Sequence, residues 1–332
     1  MIYMLRRNIF YIIILLMISF FLLFLSFSPS NTVSLDFPPS LLTLNTIFLS
    51  ILIEALPFVL VGVLIAGFIQ IFVTEEHIQK WIPKNKFIAV IMSCIIGALF
   101  PACECGIVSI VRRLVKKGVP IHAAMGFMLT GPLINPIVTL STYMAFGNSF
   151  KIAGLRMGLG FLVSLVVAFL VSWIYKGNQL KAPASFPHSP SHTIKEPFLK
   201  RLWNMLIHSI DEFFDMVKFL IIGAFLAASV QTFLPAKALL AAGSGFISSL
   251  LVMMGLAYVL SLCSEADAFI GASFSNIFPI TSILGFLIFG PMMDLKNTLM
   301  MLGVFRFKFV IGLLGLIAST VFIVIMLSQI FI

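Results

Sequence analysis

An all-helical protein that crosses a membrane several times is what this sequence predicts, on three observations. Of its 332 residues, 61% are hydrophobic and only 10% charged, whereas an average soluble domain is roughly 45–50% apolar and about 25% charged. The apolar residues gather into runs, several of them long enough to cross a hydrocarbon core of ~30 Å as helices. The charged residues, 21 Lys plus Arg against 12 Asp plus Glu for a net charge of +9, are concentrated in short clusters between those runs. This composition excludes a water-soluble enzyme and a disordered chain. The basic clusters read as loops kept on the cytoplasmic face by the positive-inside rule, not as a nucleic-acid surface.

Residues 8–27 form an unbroken apolar run behind Arg6 and Arg7. A cleavable signal segment has an apolar stretch of about 7–15 residues, so this longer run is expected to stay as an anchor, with the N-terminus in the cytoplasm. Residues 1–40 then form an N-terminal transmembrane anchor and external segment. A span over about 41–73 leads inward to Lys80, Lys84 and Lys86. Residues 87–100 are apolar, yet Arg112, Arg113, Lys116 and Lys117 soon follow. Two basic loops cannot both be cytoplasmic if the segment between them crosses. A re-entrant hairpin resolves this: 87–100 enters, the chain turns near Pro101-Ala102-Cys103-Glu104-Cys105-Gly106, and 107–117 returns. Two short crossing helices are the alternative and would turn the topology over. Broken backbone at membrane depth is tolerated where it lines a cavity or is buried in protein.

After Pro120 a span runs outward to about 146 and another returns over 151–176. Residues 177–202 are rich in Pro and Ser and read as a flexible cytoplasmic linker. The run over about 204–234 leads outward, 238–275 breaks at Cys263-Ser264-Glu265-Ala266-Asp267, and 280–296 comes back to Lys296, Arg306 and Lys308. A last run, about 309–330, exits.

The chain also matches itself. Pro120…Gly126…Gly131-Pro132…Asn135 corresponds to Pro279…Gly285…Gly290-Pro291…Asp294 at an offset of 159, and Cys103 to Cys263 at 160. Upstream, Glu54…Phe58…Gly62…Ala66 corresponds to Asp215…Phe219…Gly223…Ala227 at 161. Residues 41–176 and 203–332 are therefore expected to be two transmembrane repeats. The charge assignment sends the leading span of the first inward and of the second outward, which makes them inverted structural repeats, each with a re-entrant helical hairpin. Secondary transporters are commonly built this way, with sites near the midplane where broken helices meet.

Ionised carboxylates inside hydrocarbon are costly, on the order of 2.5–3.5 kcal/mol, and normally face a partner, a proton or an ion. Glu54, Asp215, Glu104, Glu265, Asp267 and Asp294 all fall inside or at breaks of apolar segments. For Asp294 and Asp215 a place at the membrane interface is the alternative. Cys103, Glu104 and Cys105 at one tip, with Cys263 and Glu265 at the other, offer soft thiolates and hard carboxylates for a thiophilic ion; buried free cysteine is equally a small hydrophobe. Cys103, Cys105, Cys263 and Glu265 are the candidate metal ligands. Glu104, Asp267 and Asn135 join them as candidate substrate contacts, and Glu54 and Asp215 are candidates for proton coupling. The carbonyls freed around Gly131-Pro132, Asn135-Pro136 and Gly290-Pro291 suit a cation or polar solute, or a packing kink. His188 and His192 lie in the linker and read as solvated. No nucleophile elbow, phosphate loop or HExxH pattern occurs, so an enzyme is not expected. No resident cofactor is expected either, beyond a transported metal or metalloid ion.

Three segments together, Phe100-Pro101-Ala102-Cys103-Glu104-Cys105-Gly106, Gly131-Pro132-Leu133-Ile134-Asn135-Pro136 and Cys263-Ser264-Glu265-Ala266-Asp267-Ala268-Phe269, resemble a family of bacterial predicted permeases that includes organoarsenical efflux permeases. The resemblance covers roughly 45–325. It implies a multi-pass protein of the bacterial plasma membrane that carries out transport, of trivalent organoarsenicals in some members. Many members also look like one half of a two-protein system with a smaller membrane protein. The expected function is a permease for a thiophilic metal, metalloid or organometalloid species. The alternative is the membrane subunit of a two-protein complex handling an envelope precursor or lipid, with structural cysteines. Partners left open are the lipid bilayer, a second small membrane protein and a further copy of this chain; nucleic acid is not among them.

Overall fold

In a computed structural model that describes residues 39–72, 83, 85–100, 103–177, 179–181, 198–233 and 245–330, the apolar runs form twelve helices. The N-terminal run 8–27, the tip residues Pro101 and Ala102, and the linker histidines lie outside the described residues. The first six helices are α1 (Pro39–Phe72), α2 (Lys86–Leu99), α3 (Glu104–Lys116), α4 (Ile121–Ile134), α5 (Pro136–Ala145) and α6 (Phe150–Ile174). The same order of long, short, short, broken pair and long recurs as α7 (Phe198–Phe233), α8 (Phe246–Leu260), α9 (Ser264–Ser273), α10 (Ile280–Met292), α11 (Leu295–Val304) and α12 (Phe307–Ser328).

The breaks have local causes. Pro136 has no N–H to continue the helix, and Asn135 caps the restart by accepting from Val138 N at 2.8 Å. Asp294 does the same for α11 through Asn297 N. Pro132 and Pro291 lie in the last turns of α4 and α10, just before these breaks. Helices α2 and α3 have 14 and 13 residues, about 20 Å each at ~1.5 Å per residue and so short of a hydrocarbon core of ~30 Å. Lys86 at the start of α2 and Gly118 just beyond α3 line one cavity, so these two helix ends lie on the same face of the protein.

In the packing, α4 lies between α2 and α6, and α10 between α8 and α12. Across the two sets α1 packs on α7, α4 on α10, α6 on α12, α5 on α9 and α3 on α11. The end of α6 and the start of α12 are tied where Lys181 N donates to Val304 O (2.9 Å) and Arg306 N to Gln179 O (3.0 Å). Large apolar side chains such as Ile53, Leu99, Phe150 and Ile311 point outward, while Glu104, Arg156, Asp267, Asp294 and Lys296 are buried. That distribution is the one lipid selects. Among the described residues five helical segments are long and apolar enough to cross a membrane: Pro39–Ile69, Ile121–Ala145, Phe150–Ile174, Trp203–Phe233 and Phe307–Ser328.

One assignment needs correction. Lys296 does not mark the return of a span to a basic loop; it is 3% exposed and sits in the first turn of α11. The helical path continues to Val304, and Arg306 and Lys308 occupy the far end. Charge counting along the chain cannot separate a loop lysine from one folded back into the interior at a helix break.

Helices α1 and α3 touch backbone to backbone at Gly62 and Gly106, where a Cβ on Gly62 would lie 2.5 Å from Gly106 Cα. Gly62→Ala should therefore lose about 1–3 kcal/mol through overpacking. Gly154→Ala, on an open face of α6 with nothing within 4 Å, should be neutral or gain up to about 1 kcal/mol of helix propensity. Thermal unfolding in detergent, followed by size-exclusion chromatography, reads both; equal stability of the two variants would contradict the close approach.

Candidate functional site

The N-termini of the two short helices meet in the interior. Glu104 opens α3 and Ser264 opens α9, and Ser264 Oγ lies 3.4 Å from Glu104 Oε2 across 160 residues of chain. Lys296 reaches the same point: its Nζ lies 3.3 Å from Glu104 Oε1 and 3.6 Å from Asp294 Oδ2, and donates to Ser261 O at 3.2 Å. Arg156, from the second turn of α6, donates to Thr142 Oγ1 at 2.6 Å and to Ser264 O at 3.1 Å, and the Asp267 carboxyl lies close enough to act on its charge. Glu104, Arg156, Asp267, Asp294 and Lys296 are each no more than 3% exposed.

Charges this deep persist only when paired and hydrogen-bonded. Three buried carboxyl groups face two cations, so the carboxyl groups outnumber the cations by one. Among the described residues four buried side-chain polar atoms lack a hydrogen-bond partner, and three of them belong to this region: Asp294 Oδ2, Asn297 Oδ1 and Arg156 Nε, the fourth being Ser109 Oγ. Buried atoms of this kind are uncommon and call for an explanation. Four helix N-termini, those of α3, α5, α9 and α11, start at buried or half-buried caps: Cys103, Asn135, Cys263 and Asp294. Neither cysteine uses its side chain as a cap.

The site residues expected from the sequence separate into groups. Glu104, Asp267 and Asp294 belong to the buried charged centre. Cys105 is buried and its thiol lies in hydrogen-bonding reach of half-buried Cys103. Cys263 is half-buried on the other tip, in reach of the Glu54 carboxylate. Glu265 is half-buried and close enough to Arg156 and Glu104 to share their field. Asn135 is buried with its side-chain oxygen committed to the α5 cap. Asp215 is not brought into the centre; its side chain is 30% exposed and pairs with Lys218 at 2.7 Å. Among the described residues no three His, Cys, Asp or Glu side chains form a group that could hold a metal ion.

Sequence reasoning missed Arg156 and Lys296. The available signal was the cost of a cation within apolar sequence, but each lies near the start of a run, where basic residues also flank spans. The C-terminal end of α3 is held by two further ion pairs. Arg113 and Arg112 of α3 embrace buried Glu212 of α7, with Arg113 Nε at 2.8 Å and Arg112 Nη1 at 3.5 Å. Lys117 Nζ donates to Ile69 O of α1 at 2.9 Å.

The family described as Predicted permease matches residues 40–330. UPF0718 protein YcgR of Bacillus subtilis (strain 168) is 52% identical over 284 residues, covering 85% of this chain and 95% of that protein. A protein of Streptococcus mutans serotype c (strain ATCC 700610 / UA159), provisionally described as a two-component membrane permease complex subunit, is 42% identical over 278 residues, covering 84% and 92%. No solved structure matches the chain.

Lys296→Met would strand Glu104 and Asp294 and should lower stability by about 3–5 kcal/mol, the usual cost of removing one partner of a buried pair. Adding Glu104→Gln should recover part of it. The comparison is a thermal-unfolding cycle in detergent, and a fully additive cycle would show that the two side chains do not interact.

Proposed function

The chain belongs to the Predicted permease family, and on that premise we propose that it is a secondary transporter whose solute passes the buried charged centre between its two six-helix sets. The observation that carries this reading is the convergence of Glu104, Lys296 and Asp294 at the starts of broken helices, joined by Arg156, with buried polar atoms that lack a hydrogen bond among them. A protein that only needed a stable core would gain little from such a cluster, since apolar replacements of a buried pair are often as stable. Inverted repeats with re-entrant hairpins agree with three features. The helix order recurs, the α2–α3 hairpin is too short to cross and has both ends on one face, and α6 ends where α12 begins.

The solute class we favour is a thiophilic metal, metalloid or organometalloid species. Cys103 with Cys105 forms one soft contact and Cys263, with Glu265 nearby, the other. A mono-organo trivalent metalloid exchanges two bonds, so a thiol pair suffices and no three-ligand group is required. Proton coupling falls to the excess carboxyl of the centre and to Glu54 beside Cys263; Asp215 is spent on Lys218.

A second reading, as one subunit of a two-protein membrane complex, is favoured by the description of the Streptococcus mutans relative. In that case the cysteines are structural and transport needs the partner.

Accumulation of a trivalent phenylarsenical in everted vesicles tests the first reading. Cys103→Ser and Glu104→Gln should each reduce it at least tenfold while the protein still inserts. Wild-type rates in both variants would remove the thiol site. Accumulation that requires a co-purifying membrane protein, and is indifferent to Cys103→Ser, would establish the second reading.

A further inference from the structure

At the basic end of the molecule, remote from the charged centre, a cavity of about 400 Å³ opens between the start of α2, the α3–α4 turn and the end of α6. Lys86, Lys176 and His122 line it, and no acid is among its described lining residues. Neither lysine ammonium has an ion-pair partner among the described residues. A second, wholly apolar groove of about 260 Å³ lies between the same two helices, lined by Phe87, Val90 and Ile91 of α2 and Leu165, Val166 and Phe169 of α6.

The two are parts of one surface. Lys86 and Phe87 are neighbours in the first turn of α2. On α6, Phe169 of the groove is one turn from Ser172 of the cavity. The rings of Phe87 and Phe169 meet edge to face at 5.8 Å. Trp173, 68% exposed with its ring 5.6 Å from that of Phe169, stands at the join. Indole side chains favour headgroup depth in a bilayer. A cationic cleft at that depth, continuing into an apolar groove that runs toward the bilayer interior, matches one kind of occupant: a molecule with an anionic head and a hydrocarbon tail.

We propose that this surface binds an anionic phospholipid, its phosphate between Lys86, Lys176 and His122 and an acyl chain in the groove between α2 and α6. Basic pockets between membrane helices are suited to such headgroups. A free phosphate ion would satisfy the lysines and leave the groove unused; a zwitterionic lipid would fill the groove and leave an uncompensated positive cluster. The lipid would brace the base of the α2–α3 hairpin against α6.

The test uses the purified full chain in mild detergent, titrated with phosphatidylglycerol, phosphatidylcholine or inorganic phosphate and read by native mass spectrometry and thermal shift. Phosphatidylglycerol should bind at least tenfold more tightly than phosphatidylcholine, with no thermal shift from phosphate. Lys86→Gln and Lys176→Gln, both at exposed positions, should each weaken it about fivefold, as expected for one cation near a lipid headgroup. Val166→Trp, at the groove wall, should weaken both lipids. A shift from phosphate equal to that from phosphatidylglycerol would overturn the proposal in favour of a soluble-anion site. Equal affinity for the two lipids, or no loss in the double lysine variant with unchanged elution, would overturn it as well.

Discussion

The pairing of Lys296 with Glu104 is the constraint around which the interior is organised. A lysine in the first turn of a helix points its charge at the positive end of the helix dipole, an unfavourable place for it. It is held there because Asp294 caps the same helix and Glu104 comes to meet it from α3. Glu104 occupies the first turn of its own helix, where a negative charge is favoured. For the two to meet, α3 must begin deep in the protein and α11 must restart there. The breaks before both helices, and the proline-bearing turn ahead of α11, follow from the demand that these ends converge.

That convergence also explains how the two halves of the sequence diverge. Glu104 and Ser264 stand 160 residues apart and touch each other. A strict copy would have set two carboxylates together, and like charges at that distance cannot both stay ionised. A hydroxyl in one half and a carboxylate in the other removes the conflict and adds a hydrogen bond. The cations are similarly unshared. The counterpart of Lys296 at an offset of 159 is Ile137, which faces outward at 57% exposure. Asn135 and Asp294 keep the same capping task with and without charge. The recurring helix order thus carries an asymmetric charge pattern, with one cation from each set of six helices bonded to a short helix of the other: Lys296 to α3 and Arg156 to α9.

Much of this was legible in the sequence. The limits of α1, α6 and α12 follow from apolar run length, and the starts of α3 and α9 from the Cys-Glu and Cys-Ser-Glu breaks. Burial of Glu104 and Asp267 follows from acids placed where lipid would otherwise be their surroundings. What was not legible is partnership. Arg156 lies six residues into α6 and Lys296 two past a capping acid, so position alone gives each the look of a flank. Their burial is decided by which helices pack together, a long-range fact that no local pattern encodes. Asp215 shows the converse: it aligns with Glu54, but Lys218 one turn away takes its charge, and a local pair outweighs the analogy.

Helix α3 therefore experiences different restraints at its two ends. Its base is fastened to α7 through Glu212 and to α1 through the Ile69 carbonyl, and its first turn lies against α1 where Gly106 meets Gly62. Its tip is held by Glu104, whose partners Lys296 and Ser264 both come from the second set of helices. Any motion that opens the centre must separate Glu104 from Lys296 or carry α11 with it. A solute or proton that neutralises either member lowers the cost of the first route, because an unpaired buried charge is what makes separation expensive. In the transporter proposed above, charge compensation and access to the centre would thereby be coupled through one ion pair, while the C-terminal end of α3 keeps its attachments.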